Sequence, residues 1–178
     1  MLAPAVVLLA LAEQRIAIAA TLVYALLADI ADGKLARRMG VATARLRQAD
    51  SGADVVFWSS VLVAACLLEP EGMRVRALWI VLVVALEVAV NATSFVRFGR
   101  APANHAYAAK LWGLVMCASL VAIVGVGHFG LLFGLAIGAG VIAGLDGIAI
   151  LALLPAWKSD VPSAFSARRM RREQSGGR

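Results

Sequence analysis

The sequence predicts an all-α protein, a polytopic membrane bundle of six spanning helices of which the first is truncated. Of its 178 residues, 62% are hydrophobic and only 16% are charged, whereas soluble domains carry about 25% charged residues. Apolar runs recur along the chain at close to the length of about 20 residues that a helix needs to cross a bilayer. The basic residues fall mainly in the links on one side of these runs and in the C-terminal tail, which is the charge bias of membrane proteins.

The six spans are expected at 1–12, 16–38, 50–68, 76–96, 107–126 and in a run that ends near Leu154. The first run is too short to cross a bilayer, and we interpret it as the end of a span whose beginning is missing. After the third span, Pro70 and Gly72 interrupt the helix, so a loop is expected there.

Residues 1–154 are expected to form the membrane bundle, and residues 155–178 a basic, solvated tail. The tail, the two basic links and the start of the fifth span hold 14 of the 17 Lys and Arg residues. The positive-inside rule therefore places the tail and both links in the cytoplasm, as in a multi-pass protein of an inner membrane. This distribution accounts for the net charge of +6, so no nucleic-acid partner is expected, whereas contact with anionic membrane lipids is compatible with it.

Four carboxylates flank the first cytoplasmic link. Asp29 and Asp32 are three residues apart near the end of the second span, and Asp50 and Asp54 are four apart at the start of the third. On a helix each spacing puts both side chains on one face, and antiparallel neighbours would bring all four to the same depth. Because unpaired carboxylates repel one another, the cluster predicts a divalent cation, and oxygen ligands favour Mg²⁺ or Mn²⁺. Salt bridges with nearby basic residues are the alternative, but they explain neither the spacing nor the small residues beside the acids.

Small residues and an arginine beside the acids indicate a phosphate-bearing substrate. Gly33 and Ala36 follow Asp29 at i+4 and i+7, on the same helix face, where they leave room for a ligand. Arg37 comes next, and its planar guanidinium can bind phosphate oxygens that a metal leaves uncovered. Gly52 keeps the face of the third span open in the same way.

The motif resembles the signature of a known family. Asp29-x-x-Asp32-Gly33-x-x-Ala36-Arg37, followed after twelve residues by Asp50-x-x-x-Asp54, is similar to that of the CDP-alcohol phosphotransferases (CDP-alcohol phosphatidyltransferases). These are integral membrane enzymes of phospholipid synthesis. The motif covers 29–54, and the six-span layout extends the likeness to nearly the whole chain. Leu46 stands where the family usually has a glycine, a departure that removes no ligand.

The resemblance implies a metal-dependent transferase. It would move a phosphatidyl or similar substituted phosphate group from a CDP-activated lipid, such as CDP-diacylglycerol, to an alcohol acceptor and release CMP. The implied roles are metal binding by Asp29, Asp32, Asp50 and Asp54, general base catalysis by Asp54, and contact with the CDP moiety by Gly33, Ala36 and Arg37. A homodimer is also implied.

Polar residues elsewhere in the spans leave their roles open. Arg97, Arg100 and Lys110 loosely resemble the basic region with which relatives hold a phosphorylated acceptor, although anchoring at the cytoplasmic surface explains them equally well. Glu87 and Asp146 either line the acceptor pocket or fix packing by interhelical hydrogen bonds. Glycines of the sixth span recur every four residues, which favours close helix packing within the chain or between two copies.

Two alternative functions remain at this point. A small membrane transporter or channel component would use Glu87 and Asp146 as an ion path, but the densest charges lie at the membrane surface, whereas coupling sites tend to lie near the midplane. A catalytically degenerate family member is suggested by Leu46 and by the short first span. The four intact aspartates argue against it.

Overall fold

The computed structural model describes residues 2–39, 44–100, 102, 106–154, 156–158 and 161–175, and it describes the backbone alone at 33, 36–37, 44–51 and 171–175. Over these residues every regular element is an α-helix, which confirms the all-α prediction. The helices are α1 (Ala3–Leu11), α2 (Arg15–Arg38), α3 (Ala44–Leu68), α4 (Pro70–Val75), α5 (Ala77–Phe98), α6 (Tyr107–Val126), α7 (Leu131–Leu153) and α8 (Ala164–Ser175).

Three helices of the described part, α5, α6 and α7, are long and apolar enough to cross a bilayer. Large apolar side chains such as Leu78, Val96 and Ile142 are exposed on them. A soluble monomer rarely exposes contiguous apolar patches of more than a few hundred Å², so this surface belongs in lipid. The protein is therefore an integral membrane protein. The apolar part of α3, Gly52–Leu68, is shorter, and these helices do not establish all six predicted spans.

Pro70 begins the short helix α4, so the expected loop is wrong at this point. The chain does leave the helical conformation at Glu69, whose φ is −134°. Proline is tolerated in the first turn of a helix, where its missing N–H has no helical acceptor. Pro70 therefore separates two helices instead of opening a loop.

The chain divides into two compact units, and the first comprises Met1–Arg76 and Cys117–Phe133. In this unit α1 packs against both α2 and α3. Among the described side chains of these three helices, the buried ones are Val6, Ala10, Ile18, Leu22, Val61, Ala64 and Ala65. Those of α2 lie in its first half and those of α3 in its second half. The other halves carry the aspartates, and Asp29 and Asp32 are exposed there.

Arg15 ties the start of α2 to the ends of two other helices. Its Nη1 lies 2.8 Å from Oε1 of Glu69, and its guanidinium donates to the carbonyl oxygens of Leu68 at 3.2 Å and Val124 at 3.4 Å. These carbonyls belong to the last turns of α3 and α6, where carbonyl groups lack helical partners and a cation interacts favourably with the helix dipole. We call Arg15, Glu69 and these two carbonyls the Arg15 clamp.

The second unit comprises Ala77–Met116 and Gly134–Arg178. Glycines of α7 allow its backbone to approach other helices closely. A Cβ on Gly144 would lie 2.8 Å from Cβ of Leu86, and one on Gly140 would lie 2.8 Å from Nε1 of Trp112. A Cβ on Gly138 would meet nothing within 4 Å. Packing within the chain thus accounts for Gly140 and Gly144 but not for Gly138.

The segment after residue 154, expected to be solvated, is partly folded against α7. The N–H of Ala164, the first residue of α8, donates to Oδ1 of Asp146 at 3.0 Å. Val161 and Ala167 are fully buried in a cluster with Leu154. The arginine-rich composition did not predict this contact, because the segment contributes to it through small apolar side chains, such as Val161 and Ala167, and one backbone N–H.

Candidate active site

Beyond Leu22, none of the α2 side chains that the structure describes is fully buried. Up to Leu22 the helix buries apolar side chains, whereas Asp29 and Asp32 are exposed. The segment remains helical because alanine and leucine, which are good helix formers, surround the two acids. At three residues apart, Asp29 and Asp32 lie on one side of α2, about 4.5 Å apart along its axis.

The second pair of acids belongs to the first half of α3. Asp54 is half-buried, and a Cβ built on Gly52 would meet nothing within 4 Å. The backbone beside Asp54 is therefore open to a ligand. For the remaining residues of the predicted site the structure describes only the backbone. These residues are Gly33, Ala36, Arg37 and Asp50.

The helices α2 and α3 run antiparallel. The Arg15 clamp joins the start of α2 to the end of α3, because Arg15 donates to the carbonyl of Leu68. Residues 39–43 connect the opposite ends in the sequence. The two helices are joined at both ends and have similar lengths of 24 and 25 residues. The position of a residue along either helix can therefore be given as its distance from the clamp.

Counting along the two helices from the Arg15 clamp predicts two matched levels for the four aspartates. Along α2, Asp29 is as many residues from Arg15 as Asp54 is from Leu68 along α3. At 1.5 Å per residue, both aspartates are about 21 Å from the clamp. Asp32 and the backbone of Asp50 follow at about 26 and about 27 Å. The spacing of each pair therefore keeps both acids of one helix level with both acids of the other.

The donor chemistry fits Mg²⁺ or Mn²⁺, whose preferred ligands are carboxylate oxygens. Asp29 and Asp54 each interact with another group of the protein. Among the side chains that the structure describes, no three His, Cys, Asp or Glu groups lie close enough to hold one metal ion. That set includes Asp29, Asp32 and Asp54, so the structure does not bring these three carboxylates close enough to share one ion, and the side chain of Asp50 lies outside the described ones.

The three predicted acceptor ligands belong to the second unit. The guanidinium of Arg97 donates to two carbonyl oxygens at the end of α7, where basic side chains commonly cap helices. Cζ of Arg100 lies 5.2 Å from the ring centre of Trp157, and Nζ of Lys110 lies 5.9 Å from that of Tyr107. Both are cation–π distances. Cζ of Arg97 also lies 5.2 Å from the ring centre of Phe98, so all three cations lie near aromatic rings and Arg97 is in addition hydrogen-bonded to backbone carbonyls.

The structure also gives contacts for the two acids of the membrane-length helices. Asp146 accepts the hydrogen bond from the first N–H of α8, which agrees with a role in packing. Oε1 of Glu87 accepts a long hydrogen bond, 3.4 Å, from Asn91 one turn further along α5. Both contacts lie within the second unit.

Sequence reasoning missed Arg15 and Glu69, the ion pair that joins the start of α2 to the end of α3. It counted Arg15 only as one of three basic residues on the far side of the membrane. A signal was present, because a lone arginine begins the second span and a lone glutamate follows the third. Antiparallel spans bring those two ends together.

Comparison with known proteins agrees with the motif. The family model for CDP-alcohol phosphatidyltransferase matches residues 1–154, which include both aspartate-bearing helices and all three membrane-length helices. No curated protein and no solved structure gives a match. The matched family is a class of transferases of phospholipid synthesis. The match covers most of the chain, and the chain therefore belongs to the CDP-alcohol phosphatidyltransferase family.

Proposed function

We propose that this protein transfers a phosphatidyl, or similar substituted phosphate, group from a CDP-activated lipid such as CDP-diacylglycerol to an alcohol acceptor and releases CMP. One observation carries the proposal: Arg15 at the start of α2 bonds to Leu68 at the end of α3, and Asp29 is as many residues from Arg15 as Asp54 is from Leu68. Antiparallel helices with this register would bring the aspartate-bearing parts of α2 and α3 to the same depth. The family match supports the class of reaction.

Asp29, Asp32, Asp50 and Asp54 would hold one or two Mg²⁺ or Mn²⁺ ions. Asp29 and Asp32 are exposed, so both are accessible to a cation and to a substrate. Four carboxylates at two levels would repel one another strongly, and a shared cation removes this repulsion. When bound, the metal would neutralise charge on the diphosphate and on the departing CMP.

Gly33, Ala36 and Arg37 would contact the CDP moiety. By helical spacing Gly33 and Ala36 fall on the Asp29 face of α2, where a larger side chain would block the diphosphate. Arg37 follows Ala36 in the sequence, and a guanidinium offers two parallel hydrogen bonds to phosphate oxygens. The open backbone at Gly52 supports the same arrangement on α3.

Asp54 would act as the general base. Its carboxylate takes the proton of the acceptor hydroxyl, and the acceptor oxygen forms a bond to the phosphorus that carries the lipid alcohol. The bond between that phosphorus and the bridging oxygen of the diphosphate breaks, and CMP leaves with the bond's electron pair. Asp54 is half-buried, which holds the base in place while Asp29 and Asp32 remain open to solvent.

The reaction would take place at the cytoplasmic surface. The lipid substrate carries acyl chains and the acceptor is a water-soluble alcohol, so the site must face both phases. In the proposed topology six spans occupy 1–154, and the positive-inside rule puts the aspartate end of α2 and α3 and the tail 155–178 in the cytoplasm. The functional unit in this proposal is a homodimer.

Arg100 and Lys110 are the better candidates for holding a phosphorylated acceptor. Both are exposed cations, and a cation–π contact leaves N–H groups available for phosphate oxygens. Arg97 already donates to the carbonyl end of α7, so its contribution would be to position α5 against α7.

The proposal is tested by the release of CMP from CDP-diacylglycerol. Purified protein in lipid nanodiscs with Mn²⁺ or Mg²⁺ is given a panel of alcohols that includes inositol phosphate, glycerol phosphate and serine, and the lipid product is identified by mass spectrometry. We expect CMP release with one acceptor class. Asp54→Asn should reduce turnover by at least about 100-fold, the usual contribution of a general base.

Glu71→Gln is the matched control. It also replaces one carboxylate by an amide, but Glu71 is exposed and pairs with Arg74 at the end of the unit opposite to the aspartates. We expect full activity in this variant. Equal activity in Asp54→Asn and Glu71→Gln would overturn the base assignment, and no CMP release with any acceptor would favour a catalytically degenerate family member.

A further inference from the structure

The helix α8 is held beside the end of a membrane-length helix. Its first N–H is bonded to Asp146, which lies about two turns before the end of α7. Val161 and Ala167 are fully buried against Leu154 at that end. Since α7 has 23 residues and is about 34 Å long, it crosses the hydrocarbon core of about 30 Å. These contacts therefore keep α8 at the boundary between lipid and water.

The outward face of α8 combines an aromatic ring with two guanidinium groups. Phe165 is 80% exposed, and Arg168 and Arg169 are exposed. Residues spaced by three and four share a helix face, so Phe165, Arg168 and Arg169 lie together, away from the buried Ala167. A face with basic and aromatic side chains is typical of helices that lie in the membrane interface.

The charge of α8 indicates which lipids would contact it. The helix contains four arginines and one acid, Glu173. A guanidinium binds phosphate oxygens through two parallel hydrogen bonds, and each basic residue near an anionic lipid surface contributes about 1 kcal/mol. A zwitterionic surface lacks this net attraction. The side chains of α8 are thus complementary to anionic phospholipids.

We infer that α8 is an interfacial anchor that binds anionic phospholipid headgroups through Arg168 and Arg169 while Phe165 enters the boundary of the acyl chains. The anchor requires only that the protein is in a bilayer, so it stands apart from the proposed chemistry. It gives α8 a fixed place on the membrane surface.

The test measures the depth of residue 165 in the full-length protein. Phe165→Cys is introduced together with Cys66→Ala and Cys117→Ala, spin-labelled, and placed in nanodiscs of phosphatidylcholine, either pure or mixed with phosphatidylglycerol as the minor component. Power-saturation EPR then compares the access of oxygen, which is concentrated in lipid, with that of a water-soluble nickel chelate. With phosphatidylglycerol we expect the label to be reached by oxygen and shielded from nickel.

Two variants of the labelled protein separate charge from other effects. Arg168→Gln with Arg169→Gln removes two charges, and the ratio of anchored to released helix should fall about 30-fold, which corresponds to about 2 kcal/mol at about 1 kcal/mol per arginine. Arg168→Lys with Arg169→Lys keeps both charges and should match the parent. Circular dichroism and the melting temperature check that the fold is unchanged.

Each possible EPR result either supports the anchor or overturns it. A label shielded from nickel only with phosphatidylglycerol and only with the charges present supports the anchor. A label equally accessible to nickel in both lipid mixtures overturns it. This is the result expected if α8 binds another protein instead of the membrane. A label equally deep in both mixtures and in the glutamine variant also overturns it, because the headgroup charge would then play no part. If the glutamine variant misfolds, the comparison of the two lipid mixtures decides the matter alone.

Discussion

Replacing Arg15 by methionine tests whether the clamp holds the first unit together. Methionine keeps much of the aliphatic length of arginine and removes its charge and donors. Arg74→Met is the matched control, because Arg74 also forms an arginine–glutamate pair at 2.8 Å. The pairs differ in surroundings: the side chains of Arg15 and Glu69 are 35% and 25% exposed, whereas those of Arg74 and Glu71 are 74% and 78% exposed.

The difference in surroundings sets the expected magnitudes. The exposed Arg74–Glu71 pair should be worth less than about 1 kcal/mol, because solvent screens it. Arg15→Met loses a better shielded pair, worth about 1 kcal/mol, and two hydrogen bonds from a charged donor to helix-end carbonyls. It also leaves the carboxylate of Glu69 without its cation at a closely packed place, since a Cβ built on Gly127 would lie 2.7 Å from Oε1 of Glu69. We expect a loss of about 2 to 3 kcal/mol in total.

Thermal unfolding in a mild detergent, followed by circular dichroism, measures both variants against the parent. Both remove one positive charge from the same side of the proposed topology, so a change in insertion would affect them equally. We expect a clear drop in melting temperature for Arg15→Met and almost none for Arg74→Met. Equal stability of the two variants would refute the reasoning that the clamp holds the first unit together.

Three further predictions follow from individual contacts. Gly144→Ala should destabilise the protein by about 1 to 3 kcal/mol by overpacking against Leu86, whereas Gly138→Ala, with open space, should be neutral or slightly stabilising, as read by melting temperature. Asp146→Leu should release α8 and speed tryptic cleavage after Arg168, whereas Asp146→Asn keeps a side-chain oxygen that can accept the hydrogen bond and should resist cleavage like the parent. Chelation by EDTA should stop CMP release, and Mn²⁺ or Mg²⁺ should restore it; activity that persists in EDTA would contradict the metal assignment.

The apolar helices were the most predictable part of the fold. The bounds of α6 agree with the expected span at 107–126, and those of α5 and α7 differ from expectation by one or two residues where they can be compared. Long apolar runs flanked by charges leave few alternatives to a membrane helix, because every backbone polar group must be bonded within the segment. The motif on α2 and α3 correctly indicated the family, whereas the roles of its residues stay a prediction.

Contacts between distant parts of the chain were not predictable in the same way. Pro70 is typical of a helix break, yet it occupies the first turn of α4, where the same property is harmless. The bond from Ala164 to Asp146 joins the tail to a distant turn of α7, and nothing in local composition indicates it. Arg15 and Glu69 are far apart in the sequence, at the start of α2 and just after α3. Their pairing therefore follows only once the antiparallel arrangement of these two helices is known.

Binding of Mn²⁺ to the purified protein tests the central claim most directly. The EPR signal of free Mn²⁺ disappears on binding, so a titration counts the ions held and measures their affinity. We predict one or two sites in the parent, a loss of at least one site or a strong fall in affinity in Asp29→Asn and in Asp50→Asn, and no change in Glu71→Gln. Equal binding in all four proteins, or none in the parent, would contradict a cation shared by the aspartates of α2 and α3.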